Sequence, residues 1–526
     1  MRILHHARIR TLNSHQPFAA ALAVENGRIL AVGSNKDVLA LANRNTQIED
    51  LHGQTVWPGL TDAHLHLEAY AASLDRVDCE TATLAECLGR IAERARVTPD
   101  GAWILGHGFD QNQWQGGYGT AGDLDAAAGD RPVYITAKSL HAGWANSAAL
   151  RMAGVDRDTP EIEGGQIQRD RNGVPTGILL ENAVRFVERI LPAPDEVAVA
   201  AAIERAQEKL WSMGLTGVHD NDRRRCFQAL QQLDQQGRLR LRVVKNLPFD
   251  QLAEAVAVGL RSGFGGDFLR IGSIKMFADG ALGPQTAAML QPYQYSANTG
   301  VLQLDAGQVF EAGEQAVRSG LSLAIHAIGD CANHEVLAGY EMLRAYERQN
   351  HLAHLRHRIE HVQILAPGDL HRLTDLDLVA SVQPIHATSD MDTADRHLGS
   401  RTQYAYAYRT LLEAGTRLAF GSDAPVESPN PFLGLHAAVN RTRPSGYPGA
   451  EGWRPEQRIS LEAALAAYTT GPAFAAGRER ELGQLMPDFY ADLIVLAEDP
   501  FDLPPQSLHN RLPAATMVGG EWVFRH

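Results

Sequence analysis

Two histidines and an aspartate alternate with apolar residues along one short stretch near the start of the chain. Asp62, His64 and His66 are separated by Ala63 and Leu65. Side chains two residues apart on a β-strand point to the same face, so the three polar groups would emerge together. Two imidazoles on one face can bind one metal ion, and histidine is the usual nitrogen ligand of Zn²⁺. The stretch therefore predicts part of a metal site, provided that other segments supply further ligands.

Further ligand-capable side chains fall at the ends of other predicted strands. Lys275 lies inside an apolar run, His326 and His361 each end one, and Asp423 follows another. In a parallel barrel, catalytic residues project from the carboxyl ends of the strands. Each residue alone has an ordinary explanation, since a lysine commonly extends to solvent and an aspartate commonly caps a turn. Their coincidence at the strand ends favours a shared metal centre.

Eight strand patterns would position these residues. The first spans 55–60, and the others span 216–219, 239–245, 271–277, 321–326, 357–361, 378–382 and 417–421. Helical patterns separate most of them, at 223–236, 251–260, 309–319, 331–347, 367–375 and 404–414. Strands that alternate with helices predict a parallel sheet, and eight repeats predict a closed (β/α)₈ barrel. The predicted fold class is therefore α/β, with a TIM barrel at its centre.

The two ends of the chain have short strand patterns and tight turns instead of this alternation. Neither end is long enough to bury a core alone, so 1–57 and 480–526 are predicted to form one composite β-sandwich. The metal-binding barrel then comprises 58–68 and 208–479. Residues 69–207 lack regular strand–helix alternation, and we expect them to be an insertion after barrel strand 1 that covers the barrel mouth.

The composition is that of a globular protein with an acidic balance. The 526 residues include 62 acidic and 48 basic ones, and the net charge is −14. That balance argues against nucleic acid as a partner, and no apolar run reaches the length of a membrane span. The four cysteines form no Cys-x-x-Cys pair, which favours a reducing, cytoplasmic location. A small-molecule substrate is the expected partner, and the sequence leaves open whether the protein is a homo-oligomer.

Four motifs carry a resemblance to a known family. They are Pro58-Gly-Leu-Thr-Asp-Ala-His-Leu-His66, Ile325-His-Ala-Ile-Gly-Asp330, Arg358-Ile-Glu-His361 and Gly421-Ser-Asp-Ala-Pro425. Together they resemble the amidohydrolase superfamily of metal-dependent hydrolases. The segment Lys275-Met-Phe-Ala-Asp-Gly-Ala-Leu-Gly283 and the long insertion are similar, more narrowly, to the branch that includes N-substituted formamide deformylase. The resemblance covers nearly the whole chain and implies an enzyme that hydrolyses carbon–nitrogen bonds other than peptide bonds.

The resemblance also implies a role for each candidate ligand. The implied two-ion Zn²⁺ centre has as its ligands His64, His66, Lys275, His326, His361 and Asp423. Lys275 would be carboxylated and bridge the ions, and Asp423 would also act as general base and then as general acid. Zn²⁺ lowers the pKa of water to about 7 and polarises a carbonyl, which suits amide or formamide hydrolysis. A single ion with an unmodified lysine, or another divalent transition metal, remains an alternative.

Substrate contacts are predicted from polar and aromatic residues near the expected mouth. The candidates are Asp110, Trp114, His141, Asn146, Asp279, Gln383 and His386. The alternative for those in the insertion is that they pack its interior. Asp62 is expected either to orient one of the neighbouring histidines or to hold a turn. The aromatic content of the insertion favours an apolar or aromatic substituent on the substrate nitrogen.

Two other functions stay open at this point. A deaminase or a cyclic-amide hydrolase could use the same scaffold, although deaminases of the superfamily usually lack the bridging lysine. A regulatory or binding protein could keep the barrel without catalysis. Loss of activity typically removes a ligand or the base, whereas all six candidate positions hold competent residues.

Overall fold

The chain folds into two compact units. A computed structural model describes residues 1–111, 114–137, 142–162, 165–192 and 195–526. One unit comprises Met1–Tyr70 and Ala200–His526, and the other comprises Ala71–Val199. The predicted ligands all lie in the first unit, so its architecture decides the geometry of the site.

The first unit contains an eight-stranded parallel sheet, which confirms the predicted TIM barrel. Barrel strands 1 to 8 are Leu60–Leu65, Leu215–Asp220, Arg242–Pro248, Leu269–Phe277, Leu323–Ala327, Arg358–His361, Val379–Val382 and Arg417–Phe420. Just beyond strand 8, the Asp423 N–H donates to the His64 carbonyl at 2.7 Å. The His66 N–H donates in turn to the Ala424 carbonyl at 2.9 Å. These two bonds join the carboxyl end of strand 8 to that of strand 1.

The predicted bounds of barrel strand 1 are wrong. Of the apolar run 55–60, Thr55–Pro58 pairs with sandwich strands, and the barrel strand begins only at Leu60. The change of partner occurs at Gly59, where a Cβ atom would lie 2.4 Å from the Thr216 side chain. Both halves of the run are equally apolar because both are buried, so periodicity alone cannot separate them.

Helices follow most of the barrel strands. The α-helices that lie wholly or partly in the first unit are Asn35–Leu39, Leu67–Ser73, Glu196–Ser212, Arg224–Gln235, Leu252–Ala257, Ala306–Arg318, Asp330–Gln349, Arg372–Asp375, Pro384–Ser389, Met391–Leu398, Tyr408–Glu413, Pro431–Asn440, Leu461–Ala467 and Thr470–Ala475. The helix Ala306–Arg318 shows why such segments are helical. Asp305 and Gln308 form a reciprocal capping box at its start, and its apolar face is buried. Two helices after strand 7, Pro384–Ser389 and Met391–Leu398, were not predicted. Of the helices described, none is long and apolar enough to cross a membrane.

Strands from both ends of the chain pair in two further sheets. The four-stranded sheet has the order Arg28–Gly33, Ala21–Glu25, Arg2–His5 and Gln47–Asp50. The six-stranded sheet has the order Glu521–Arg525, Ala515–Val518, Leu493–Leu496, Thr55–Pro58, Arg8–Arg10 and Phe18–Ala19. Leu4 and Val24 share one buried core with Leu493 and Met517. The two chain ends therefore stabilise each other by burying a common apolar surface.

The second unit has a mixed sheet and a core of its own. Its strands, in sheet order, are Gly165–Arg169, Pro175–Glu181, Ala142–Ala145, Val133–Ala137, Ile104–Phe109 and Val77–Asp78. Its α-helices are Leu84–Val97, Ala121–Ala128, Ser147–Ala153 and Arg185–Glu188. Phe109, Trp114 and Trp144 pack together in the core. The expectation that this segment covers the barrel mouth stays a prediction.

Candidate metal centre

Three of the predicted ligands meet at the point where strand 8 returns to strand 1. Nε2 of His64 lies 3.4 Å from Asp423 Oδ1, and Nε2 of His66 lies 3.5 Å from the same oxygen. The backbone of Asp423 is left-handed, with φ at 60°, and its N–H is bonded to the His64 carbonyl. Two imidazole nitrogens and one carboxylate oxygen within 4.8 Å of one another form a donor set that fits a divalent transition-metal ion.

Both histidines are oriented through their second ring nitrogen. Nδ1 of His64 lies 2.5 Å from Glu360 Oε2, and Nδ1 of His66 lies 3.1 Å from Asp222 Oδ1. Arg358 in turn binds both oxygens of Glu360. A carboxylate that accepts a hydrogen bond from Nδ1–H fixes the ring and leaves Nε2 as the ligand atom. The arrangement therefore directs both Nε2 atoms toward Asp423.

The remaining predicted ligands cluster beside this triad. The ring centroids of His326 and His361 are 4.5 Å apart, and that of His361 lies 4.9 Å from that of His64. Nε2 of His326 lies 2.9 Å from the Gly280 carbonyl, so its Nδ1 is left as the ligand atom. Nζ of Lys275 and Nδ1 of His361 are buried and have no hydrogen-bond partner among the described residues. Buried polar atoms without partners are rare, and here they indicate that the site is built to hold a further group.

Burial sets the protonation of these side chains. It lowers the pKa of His64 to about 4 and of His326 to about 3, with the Lys275 charge adding to the effect, and it lowers the pKa of His361 well below the usual range. Burial likewise lowers the pKa of Lys275 to about 8. Burial alone would raise the pKa of Asp423, but the surrounding histidines, led by His64, bring it below its ordinary value. Neutral imidazoles beside an ionised carboxylate are the protonation states that metal binding requires.

His386 joins the cluster from the helix Pro384–Ser389, which follows strand 7. Its ring is parallel to that of His361 within 4°, at a centroid distance of 6.1 Å, and the two histidines form a second triad of donor atoms with Asp423. Nδ1 of His386 lies 3.3 Å from Gln363 Nε2. In the part of the chain that is described, His386 Nε2 and both polar atoms of the Gln383 side chain are buried without a partner. These atoms are available to a bound molecule.

Asp62 and Asp279 mainly accept hydrogen bonds from backbone N–H groups, although Asp279 Oδ1 also lies 3.5 Å from His326 Nε2. Asp62 accepts hydrogen bonds from the backbone N–H groups of His64 and Ser422 and from the Ser422 hydroxyl. A Cβ atom at Gly421 would lie 2.6 Å from the His64 nitrogen, which explains a glycine at this close approach. Asp279 accepts three backbone N–H groups, from residues 288, 328 and 329. Such saturated carboxylates favour structural roles for both residues.

The candidates in the insertion are mostly engaged with their own unit. Trp114 is buried, and its Nε1–H donates to the Thr81 carbonyl at 3.1 Å. Asn146 caps the helix Ser147–Ala153, and its amide nitrogen donates to a backbone carbonyl. Asp110 follows the strand Ile104–Phe109, and His141 lies outside the described residues. These contacts favour packing roles for Trp114 and Asn146.

Sequence reasoning missed four residues that support the centre: Glu360, Asp222, Arg358 and Gln363. Two of them lie inside the motif Arg358-Ile-Glu-His361, where charged residues interrupt a buried strand. Charged side chains in a fully buried strand are rare unless they are paired, and this was the signal that could have found them. Asp222 follows strand 2 by two residues, in the polar run Asp220-Asn-Asp222 that continues past the end of the strand.

A cavity of about 540 Å³ opens beside the candidate ligands. It is lined by His66 and Lys275 and by the aromatic side chains of Phe249 and Phe277, among others, all from the barrel unit. Phe277 is 48% exposed, so its ring contributes apolar surface to this cavity. The cavity therefore combines an apolar wall with access to the cluster of ligands.

Comparison with known proteins agrees with this fold. The model of the amidohydrolase family matches residues 47–524, and the chain therefore belongs to that family. It is 33% identical to Protein LONG AFTER FAR-RED 3 of Arabidopsis thaliana, over 98% of this chain and 90% of that protein. It is 31% identical to N-substituted formamide deformylase of Arthrobacter pascens, over 98% of this chain and 96% of that enzyme. An uncharacterized metal-dependent hydrolase from Pyrococcus furiosus, 30% identical, superposes with a TM-score of 0.78 over 95% of this chain and 99% of its own.

Family membership confirms the resemblance inferred from the four motifs. The protein is a metal-dependent hydrolase, and its family implies a divalent metal ion and a small-molecule substrate. The residues present fit such an ion, because His64, His66 and Asp423 converge on one point and Lys275 Nζ is buried without a hydrogen-bond partner in the described chain.

Proposed function

We propose that the protein hydrolyses a carbon–nitrogen bond of an amide, a formamide or a related small molecule. The observation that carries this proposal is the position of Asp423, whose Oδ1 lies 3.4 Å and 3.5 Å from the Nε2 atoms of His64 and His66. A carboxylate fixed at that point can accept a proton from an attacking water and then pass it to the leaving nitrogen. The identity of 31% to N-substituted formamide deformylase supports the same type of bond.

We propose further that the resident ions are Zn²⁺ and that two are bound. The first would be held by His64, His66 and Asp423, and the second by His326 and His361. Imidazole and carboxylate donors suit Zn²⁺, although other divalent transition metals bind similar sets. When bound, such ions supply Lewis acidity that polarises the substrate carbonyl and acidifies water.

Lys275 would connect the two positions as a carbamate. Its neutral amine forms a bond to the carbon of CO₂ and loses one proton to solvent, which leaves an anionic group with two oxygens. An ammonium group has only donors and cannot bind a cation, so the modification is what makes this lysine a ligand. The proposal is supported by the burial of Nζ, for which the described residues offer no hydrogen-bond partner.

His386 and Gln383 are proposed to contact the substrate. Gln363 Nε2 faces His386 Nδ1 at 3.3 Å, which keeps the proton of a neutral imidazole on Nε2. A buried Nε2–H beside His361 and Asp423 can donate a hydrogen bond to a polar group of the bound molecule. Gln383 offers both a donor and an acceptor at the end of strand 7.

The cavity beside Lys275 is proposed to hold the substituent on the substrate nitrogen. Phe249 and Phe277 line it, and an aromatic or aliphatic group would cover their exposed surfaces. Covering apolar surface contributes roughly 25 cal/mol per Å² to the free energy of binding. The preference for apolar substituents should therefore be measurable across a series of substrates.

Two other functions remain candidates. A deaminase or cyclic-amide hydrolase would use the same ligands, but deaminases of the superfamily usually lack a lysine at the position of Lys275. A non-catalytic regulatory role is the second, and the name of the Arabidopsis relative states no activity. The complete set of ligands and the fixed position of Asp423 favour catalysis over that role.

A substrate panel tests the proposal. Purified protein loaded with Zn²⁺ is assayed against N-formyl amines, N-acyl amines, cyclic amides and amino-substituted heterocycles, with release of amine or ammonia as the readout. We expect turnover of the open-chain amides and a loss of 10²- to 10⁴-fold in kcat in Asp423→Asn, the usual contribution of a positioned general base. Turnover confined to the heterocycles or cyclic amides would favour the first alternative. Absence of turnover across the panel, with Asp423→Asn indistinguishable from the wild type, would favour the regulatory one.

A further inference from the structure

A second group of metal-ligating side chains lies in the sandwich formed by the chain ends. We propose that His5, His6 and Asp50 form a surface site for a divalent transition-metal ion, with His52 as a fourth ligand. One ligand atom from each of the first three lies within 4.8 Å of the others. Two imidazoles and a carboxylate are a donor set that binds Zn²⁺, Ni²⁺ and Cu²⁺. This site shares no residue with the barrel centre.

The backbone explains why three residues from two strands converge. His5 and Asp50 are direct partners in the parallel pair formed by Arg2–His5 and Gln47–Asp50, so their side chains share one face of the sheet. In a regular strand His6 would point to the opposite face. Its backbone is instead left-handed, with φ at 50°, and its ring centroid lies 4.4 Å from that of His5. The turn at His6 therefore brings the second imidazole beside the first.

Two left-handed residues that are not glycine flank the site. His52 has φ at 49° and lies two residues after the strand that ends at Asp50. His6 lies directly after the strand that ends at His5. Such conformations are costly and persist only where the surroundings hold them. The His6 N–H donates to Asn35 Oδ1 at 2.8 Å, and the His6 carbonyl accepts from the Gly53 N–H at 2.6 Å. Strained backbone of this kind clusters at functional sites, and here it positions two imidazoles.

The carboxylate of Asp50 lies between two of the imidazoles. Asp50 Oδ2 lies 2.9 Å from His6 Nδ1, and Asp50 Oδ1 lies 3.5 Å from His52 Nδ1. The backbone N–H of His52, together with the His6 ring, holds the pKa of the Asp50 carboxyl below its usual range, so the carboxylate is charged at neutral pH. Nδ1 of His5 is buried and has no partner in the described chain.

Zinc stoichiometry in matched variants tests the site. Wild type, His6→Asn and His5→Gln are equilibrated with buffered free Zn²⁺, separated from unbound ion by gel filtration, and analysed for zinc per chain. Asparagine tolerates the left-handed backbone of His6 but lacks the imidazole. His15→Gln, which removes another exposed imidazole of the same sandwich, is the control. We expect wild type and control to hold one zinc equivalent more than the two variants, with hydrolytic activity unchanged. Equal zinc content in all four proteins, with matching circular dichroism spectra, would overturn the proposal.

A titration with Cu²⁺ gives an independent readout. When the barrel centre is first loaded with Zn²⁺, electron paramagnetic resonance of the wild type should show a signal from nitrogen-ligated Cu²⁺ that is missing in the double variant His5→Gln/His6→Asn. His52→Asn should weaken the affinity about tenfold while one equivalent is still bound, because a fourth ligand adds to an existing set of three. Unchanged affinity in that variant would remove His52 from the ligand set. An unchanged copper signal in the double variant would overturn the site itself.

Discussion

Oε2 of Glu360 lies 2.5 Å from Nδ1 of His64, and both side chains are fully buried. Glu360 also receives two bonds from the Arg358 guanidinium, whose other partners include the Ser381 hydroxyl at 2.7 Å. The ring of His64 is thus fixed by a chain of charged groups inside the barrel. Its Nε2 faces Asp423 as a consequence of that chain, and not of strand geometry alone.

Glu360→Gln should therefore weaken metal binding without removing a ligand. An amide cannot supply the charge that strengthens the Nδ1–H bond, and loss of such a partner typically costs 10- to 100-fold in metal affinity. Competition with a fluorescent zinc chelator measures the change. Glu479→Gln is the matched control, because it also breaks a bidentate pair with an arginine, Arg356. Equal zinc affinity in both variants would contradict a positioning role for Glu360.

In a His6→Asn background, which removes the proposed surface site, Lys275→Met should reduce the bound zinc from two equivalents per chain to one or fewer. The methionine fills the same buried space but offers no oxygen ligand, whereas a carbamate offers two. Elemental analysis of protein prepared with bicarbonate measures the ratio. Lys275→Glu should restore part of the second equivalent, because its carboxylate supplies an anionic ligand without CO₂. Two full equivalents in Lys275→Met would rule out a bridging lysine.

The metal-free protein should lose stability as the pH falls from about 6.5 toward 4. Burial lowers the pKa of His64 to about 4 and of His326 to about 3, whereas both titrate at their ordinary value of 6.5 in the unfolded chain. Between these values the unfolded chain binds more protons than the folded one, so stability is present above pH 6.5 and is lost on acidification. The loss is about 2 kcal/mol per histidine by about pH 5.

Urea unfolding of chelator-treated protein at several pH values checks this dependence. The midpoint concentration should fall on acidification in the wild type and fall less steeply in His326→Gln, which removes one of the two groups. A wild-type midpoint that is constant down to about pH 5 would show that these histidines are not buried in their neutral form.

Gln363→Leu should lower kcat/KM about 2- to 10-fold while the zinc content stays unchanged. The glutamine makes one neutral hydrogen bond to His386, and such a bond contributes about 0.5 to 1.5 kcal/mol. His386→Asn should have the larger kinetic effect at the same zinc content, since it removes the proposed substrate contact itself. A loss of zinc in His386→Asn would instead make His386 a metal ligand.

The amino-acid sequence by itself determined the barrel and the residues that lie at its mouth. Alternation of strands with helices is a local pattern, and the carboxyl ends of parallel strands meet at one rim. For this reason the positions of His64, His326, His361 and Asp423 at that rim could be predicted without knowing a single contact. The same reasoning failed for 55–60, where one continuous apolar run serves two sheets.

Only the tertiary structure decided which side chains orient the ligands. Glu360 is 296 residues from His64, and Asp222 is 156 residues from His66, so no local periodicity links either pair. The structure likewise shows that Asn146 caps the helix Ser147–Ala153, although an asparagine is equally suited to contact a substrate. Residues this far apart in the sequence come within hydrogen-bonding distance only when the barrel has folded. A sequence fixes residue types and their positions along strands, but pairing across the barrel depends on packing between distant segments.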